Sequence, residues 1–104
     1  MTSITLRRRD TFGKVRPAVV VQSAKYLQDP PSVTVCLITG TASARPVFRV
    51  LLMASQGTGL TKSSEVMIDK VMSLPADRVK NRIGAVGAED LKRIDEALRD
   101  WQGL

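Results

Sequence analysis

Arg16-Pro17-Ala18-Val19-Val20-Val21-Gln22 is the stretch on which the reading of the fold turns. Its proline suits a strand's first residues, where a missing N–H does no harm. The apolar run Ala18 to Val21 is unbroken rather than alternating, so it predicts a strand buried on both faces. Upstream, Ser3-Ile4-Thr5-Leu6 alternates and predicts a short first strand. Between the two, residues 7–14 (Arg7, Arg8, Arg9, Asp10, Thr11, Phe12, Gly13, Lys14) read as a polar, basic loop.

Downstream, Ser23 to Ser32 is a connection closed by Pro30-Pro31, and Val33 to Ile38 is a third strand ending at Thr39-Gly40. A small-residue loop, Thr41–Arg45, leads to a fourth strand from Pro46 to Met53. Gln56 to Leu60 holds two glycines and reads as a turn. Glu65 to Leu74 is a fifth strand with room for a bend, Pro75 to Lys80 a helical turn, and Ile83 to Val86 a short last strand. Ala88 to Trp101 is the one long helix, because Leu91, Ile94, Leu98 and Trp101 recur at helical spacing. Glu89 and Asp90 favour its N-terminal dipole, and Gly103 is a stop signal. Trp101 shares the register of Ile94 and Leu98, so core packing is expected of it rather than base stacking. Several short strands and one closing helix predict a mainly β fold with a C-terminal α-helix, a small antiparallel barrel.

The 104 residues suit one domain, 1–104, and 43% of them are hydrophobic, enough for a core. No run approaches the ~18 apolar residues of a membrane span. No apolar h-region with a cleavage site opens the chain. A soluble cytoplasmic protein is expected, with no membrane contact. Cys36 is the single cysteine and the chain has no histidine. An intramolecular disulfide is therefore excluded, a zinc site is improbable, and Cys36 reads as a small buried hydrophobe. The formal charge is +6, unevenly spread: residues 1–87 hold thirteen bases against five acids, while residues 88–104 hold five acids against three bases. A body this basic attracts polyanions, of which nucleic acid is the commonest.

The stretch Phe12-Gly13-Lys14-Val15-Arg16-Pro17-Ala18-Val19-Val20-Val21-Gln22 resembles the loop-to-strand signature of the MazF/PemK toxins. Val35-Cys36-Leu37-Ile38-Thr39 resembles their second signature, and Gly59-Leu60 with Ser64-Glu65-Val66-Met67-Ile68-Asp69-Lys70 the third. Arg78 to Gly84 and Glu89 to Leu98 are similar to the family's last strand and helix. The resemblance spans roughly residues 10–104 in order. It implies an SH3-like barrel, a homodimer, a cognate antitoxin, and metal-independent cleavage of single-stranded mRNA to a 2′,3′-cyclic phosphate and a 5′-hydroxyl, with no cofactor.

Carried over residue by residue, the resemblance makes Arg16 the group that serves the phosphate and leaving oxygen. A guanidinium offers a planar fork of donors suited to that task. Thr39 matches the threonine of the second signature, whose hydroxyl can donate to a developing phosphorane oxygen. Gly40 stands where many members have serine. Asp69 matches an acidic position and is the candidate proton acceptor. Arg7, Arg8, Arg9, Lys14 and Lys70 form a candidate phosphate track, with Gly13 and Gly40 beside it and Phe12 placed to stack a base. Met72 lies where several members carry arginine or glutamine. Two rivals share the fold: a CcdB-like gyrase poison, with Trp101 and Leu104 as its grip, and an RNA-binding member with weakened catalysis.

Overall fold

Six strands and one long helix form along the chain: β1 (Ser3–Arg9), β2 (Val15–Val20), β3 (Ser32–Thr39), β4 (Arg49–Leu52), β5 (Ser64–Pro75), β6 (Arg82–Ala85) and α1 (Ala88–Gln102). The computed structural model describes residues 3–9, 15–40, 48–79 and 82–104, with side chains from residue 16 onward in those ranges. The strands make one antiparallel sheet in the order β4-β5-β3-β2-β1-β6.

The first strand is longer than its composition implies. Arg7 to Arg9 continue β1, with Arg8 paired to Arg16 and Arg9 to Val15. Backbone ladder bonds are indifferent to side-chain polarity, so a run of arginines extends a strand when a partner backbone lies alongside. The predicted loop Thr41–Arg45 and residues 46–47 of the predicted fourth strand lie outside the described residues.

β2 is buried on both faces, as the unbroken run predicts: Ala18, Val19 and Val20 are all core residues. Successive strand residues point to opposite sides, so the core divides in two. Val19, Cys36 and Ile38 join Val66, Ile68, Ile94 and Leu98 beneath the helix. Ala18, Val20, Val33, Val35, Leu37 and Leu74 form a second cluster on the other side.

The sheet curls without becoming a continuous ladder. β4 and β6 are its edges. Between them stands the turn after β4, held by an Ser55–Leu60 bridge and by Thr58, whose hydroxyl donates to the Ser55 carbonyl at 3.1 Å. The Ala85 N–H donates to the Gly57 carbonyl at 2.9 Å, joining β6 to that turn. The approach requires glycine on both sides. A Cβ on Gly84 would lie 2.5 Å from the Gly57 carbonyl oxygen, and one on Gly59 (φ +73) would lie 2.8 Å from the Ile83 carbonyl carbon. The sheet thus stays open rather than closing into the expected barrel, and its β6 edge meets the turn after β4 through a glycine-lined backbone contact.

α1 buries Ile94 and Leu98 and half-buries Leu91 and Ala97. It ends at Gly103 in the left-handed conformation, where the Leu104 N–H donates to the Arg99 carbonyl at 2.8 Å. Arg93 ties the helix to the sheet edge: it pairs with Asp90 and donates to the Leu51 carbonyl of β4 at 2.7 Å. An edge carbonyl occupied in this way is closed to a further strand.

Candidate active site

Strand register brings Arg16 and Thr39 to one place. The β2–β3 ladder pairs Ala18 with Leu37, Val19 with Cys36 and Val20 with Val35. Carried two residues further, the same register sets Arg16 opposite Thr39. Thr39 pairs in turn with Glu65, Glu65 with Leu51, and Arg16 with Arg8. Thr39, Glu65 and Leu51 thus share one rung across β3, β5 and β4, while Arg16, paired with Arg8, and Thr39 each lie two residues beyond the Ala18–Leu37 pair at the same end of β2 and β3. Directly opposed residues share a face with their Cβ atoms about 5 Å apart. Parity puts Arg16 on the side of Ala18 and Val20, and Thr39 on the side of Leu37. That is the face away from α1. Both side chains are half-buried.

Asp69 sits where β5 departs from regular pairing. Ile38 pairs with Val66 but Cys36 with Val71, so β5 advances five residues while β3 moves back two. This irregularity is the predicted bend. Within it Asp69 faces Arg49, with Oδ1 3.7 Å from Nε. That separation is too long for a hydrogen bond, and both atoms are buried without a hydrogen-bond partner among the described residues. Lys70, next in the chain, is exposed. Asp69 also reaches Cys36 electrostatically: burial first, and this carboxylate second, push the thiol from 9.0 up to about 12. Cys36 is the inert buried residue the sequence predicts.

Gly40 follows Thr39 at the end of β3, and Lys62 lies across it. A Cβ on Gly40 would collide with the Lys62 Cε and fall 2.8 Å from its Nζ. Lys62 was not among the residues singled out from the sequence. Neither was Glu65, although it lies at the start of the strand that pairs with Thr39, with Lys62 two residues before that strand. Their signal is antiparallel adjacency: the end of β3 must meet the beginning of β5.

A family model described as PemK-like, MazF-like toxin of type II toxin-antitoxin system matches residues 4–101. The chain belongs to this family. A probable endoribonuclease MazF from Mycolicibacterium smegmatis is 33% identical over 92 residues, 88% of this chain and 84% of that protein. Among solved structures, the Mycobacterium tuberculosis toxin MazF-mt6 superposes with a TM-score of 0.83 at 25% identity, covering 98% of this chain and 97% of that one. A MazE-MazF complex from Deinococcus radiodurans gives 0.78 at 25% identity, covering 98% and 92%.

The remaining sequence-derived residues distribute unevenly around this MazF-like site. Phe12, Gly13 and Lys14 lie outside the described residues, as do the side chains of Arg7, Arg8 and Arg9. Met72 packs on the second core cluster. Trp101 is 44% exposed rather than in the core, and meets Phe48 edge-on at 4.8 Å. It belongs to α1, on the face away from Arg16 and Thr39. Among the described residues no cluster of His, Cys, Asp and Glu has the makings of a metal site, and no helix is long and apolar enough to cross a membrane. A cavity of about 390 Å³ opens at the far end of β2, between Gln22, Ser23 and Leu27 and the helix residues Asp95, Arg99 and Gln102. It contains none of the predicted site residues.

Proposed function

We propose that this MazF-like toxin is an endoribonuclease that cuts single-stranded mRNA without a metal, acts as a homodimer in the cytoplasm, and is neutralised by a cognate antitoxin. The observation that carries the reading is that Arg16 and Thr39 each lie two residues beyond the Ala18–Leu37 pair at the same end of β2 and β3, with strand parity on the face away from the helix. A homologue named as an endoribonuclease and the excess of bases over acids support it.

In the reaction the substrate's 2′-oxygen attacks phosphorus, a P–O bond forms, and the bond to the 5′-oxygen breaks. Products are a 2′,3′-cyclic phosphate and a 5′-hydroxyl. A guanidinium keeps its protons in proteins, so Arg16 serves as a two-pronged donor to the phosphate oxygens, and the departing 5′-oxygen takes its proton from solvent water. The Thr39 hydroxyl donates to the same developing charge. Asp69 takes the proton of the 2′-hydroxyl. A second reading gives that proton to Glu65, which pairs directly with Thr39 while Asp69 is engaged by Arg49. Arg7, Arg8, Arg9, Lys14 and Lys70 contribute a phosphate track, Gly13 and Gly40 allow close approach of the backbone, and Phe12 stacks a base.

The test is incubation of the purified chain with a long single-stranded RNA in EDTA. Discrete cuts that disappear in Arg16→Ala are expected. RNA left intact at every protein excess would refute the reading.

A further inference from the structure

We infer that Lys62 is a catalytic residue of this site, its ammonium binding the scissile phosphate beside Thr39 and stabilising the phosphorane. The inference rests on the ribonuclease reading above.

The placement follows from the strand order. β3 ends at Thr39, β5 begins at Ser64, and Thr39 pairs with Glu65. Gly40 directly follows β3, and Lys62 lies two residues before β5, in the turn that leads into the strand paired with Thr39. The Ser64 hydroxyl donates to the Lys62 carbonyl at 3.0 Å and fixes the backbone from which the side chain departs. The side chain then lies over Gly40. The position at which any other residue would begin its own side chain lies 2.8 Å from Nζ and 3.6 Å from Cδ of Lys62. Glycine therefore leaves the space that the ammonium fills, one residue from the Thr39 hydroxyl.

Among the described residues Lys62 makes no ion pair, and the two pairs present there are Arg49–Asp69 and Arg93–Asp90. Its three N–H donors remain for a ligand. The ligand that fits a cation beside an arginine fork and a hydroxyl is a phosphodiester. As the 2′-oxygen adds, the phosphate gains negative charge, and a fixed ammonium stabilises that state more than the substrate. Lys62 keeps its proton throughout and exchanges nothing with the substrate.

Single-turnover cleavage by the full chain tests this with four variants. Lys62→Met keeps the stem over Gly40 and removes the charge. We expect its rate to fall by about 10²-fold, the scale of losing one oxyanion donor, with RNA binding weakened by no more than one phosphate contact. Lys62→Arg should retain most of the rate. Gly40→Ala should displace the ammonium without changing net charge and lose rate in the same direction. The double variant Gly40→Ala/Lys62→Met should be no slower than Lys62→Met alone, because both changes remove one interaction. Lys62 is exposed, Gly40 is exposed, and thermal melting should be unchanged in all four. Wild-type cleavage with an equally fast Lys62→Met would overturn the role of Lys62 and leave the ribonuclease reading standing, as would losses that multiply in the double variant. No cleavage by the wild type would overturn both.

Discussion

Burial first, and Asp69 on the neighbouring strand second, raise the Cys36 thiol. Its pKa rises from 9.0 to about 12 in the folded chain. Unfolding releases that proton above the ordinary thiol value, so the unfolded state binds fewer protons between pH 9 and 12. The contribution to stability is whole below pH 9 and declines as pH climbs toward 12. Iodoacetamide at pH 8 should leave Cys36 unlabelled in the native protein and label it in guanidinium, as read by mass spectrometry. Rapid native labelling would show that the thiol is not buried as described. At the site, Asp69→Asn and Glu65→Gln separate the two candidate proton acceptors. The variant that removes the base loses the acidic limb of the pH–rate profile; the other keeps it. Arg16 and Thr39 were legible as motif residues because each stands beside a recognisable strand. Lys62 and Glu65 were not, because a lone lysine in a turn and an acid at a strand start are ordinary. Only the β3–β5 register makes them neighbours, and that register contains an irregularity no periodicity reveals.

Elements read from periodicity came through where one signal dominated. α1 shows 3.6-residue spacing, an acidic first turn and a glycine stop, and its observed span differs from the expected one by a single residue. The unbroken run of β2 predicted two-sided burial, and two core clusters meet on that strand. β1 was underestimated because arginines carry no β signal, yet ladder bonds need none. Trp101 was misjudged because it lies in the helix's last turn, where helical register continues but the ring stays 44% exposed and meets Phe48, just before β4, edge-on. The contact between β6 and the 55–60 turn was invisible in the sequence, since it depends on glycines far apart in the chain. Gly84→Ala forces a Cβ against backbone at the 55–60 turn, where nothing flexible can yield. It should cost about 2–3 kcal/mol, within the range of backbone clashes, and lower the thermal midpoint by several degrees. An unchanged midpoint would mean that the Ala85–Gly57 contact is not needed for the fold.

At the scale of the whole molecule, the proposed ribonuclease reading makes charge the property that would draw RNA to the protein. Thirteen bases against five acids in residues 1–87 make the body cationic while the helical segment is acidic. Binding to single-stranded RNA should weaken with salt, the slope of log K against log salt being about −0.7 for each phosphate neutralised. Lys70→Ala should reduce that slope by roughly one such contact and leave the cleavage motif unchanged. A salt-independent affinity would remove the phosphate track. Cleavage is the property on which the account stands, and its core is that Arg16 and Thr39 act on the same phosphodiester. Groups that act as a unit lose activity non-additively. The decisive measurement is the single-turnover rate, in EDTA, of Arg16→Ala, Thr39→Val and the double variant on one RNA. The account predicts large losses in both single variants and a double variant no slower than the worse of them. Wild-type rates in either single variant, or losses that simply multiply, would contradict it.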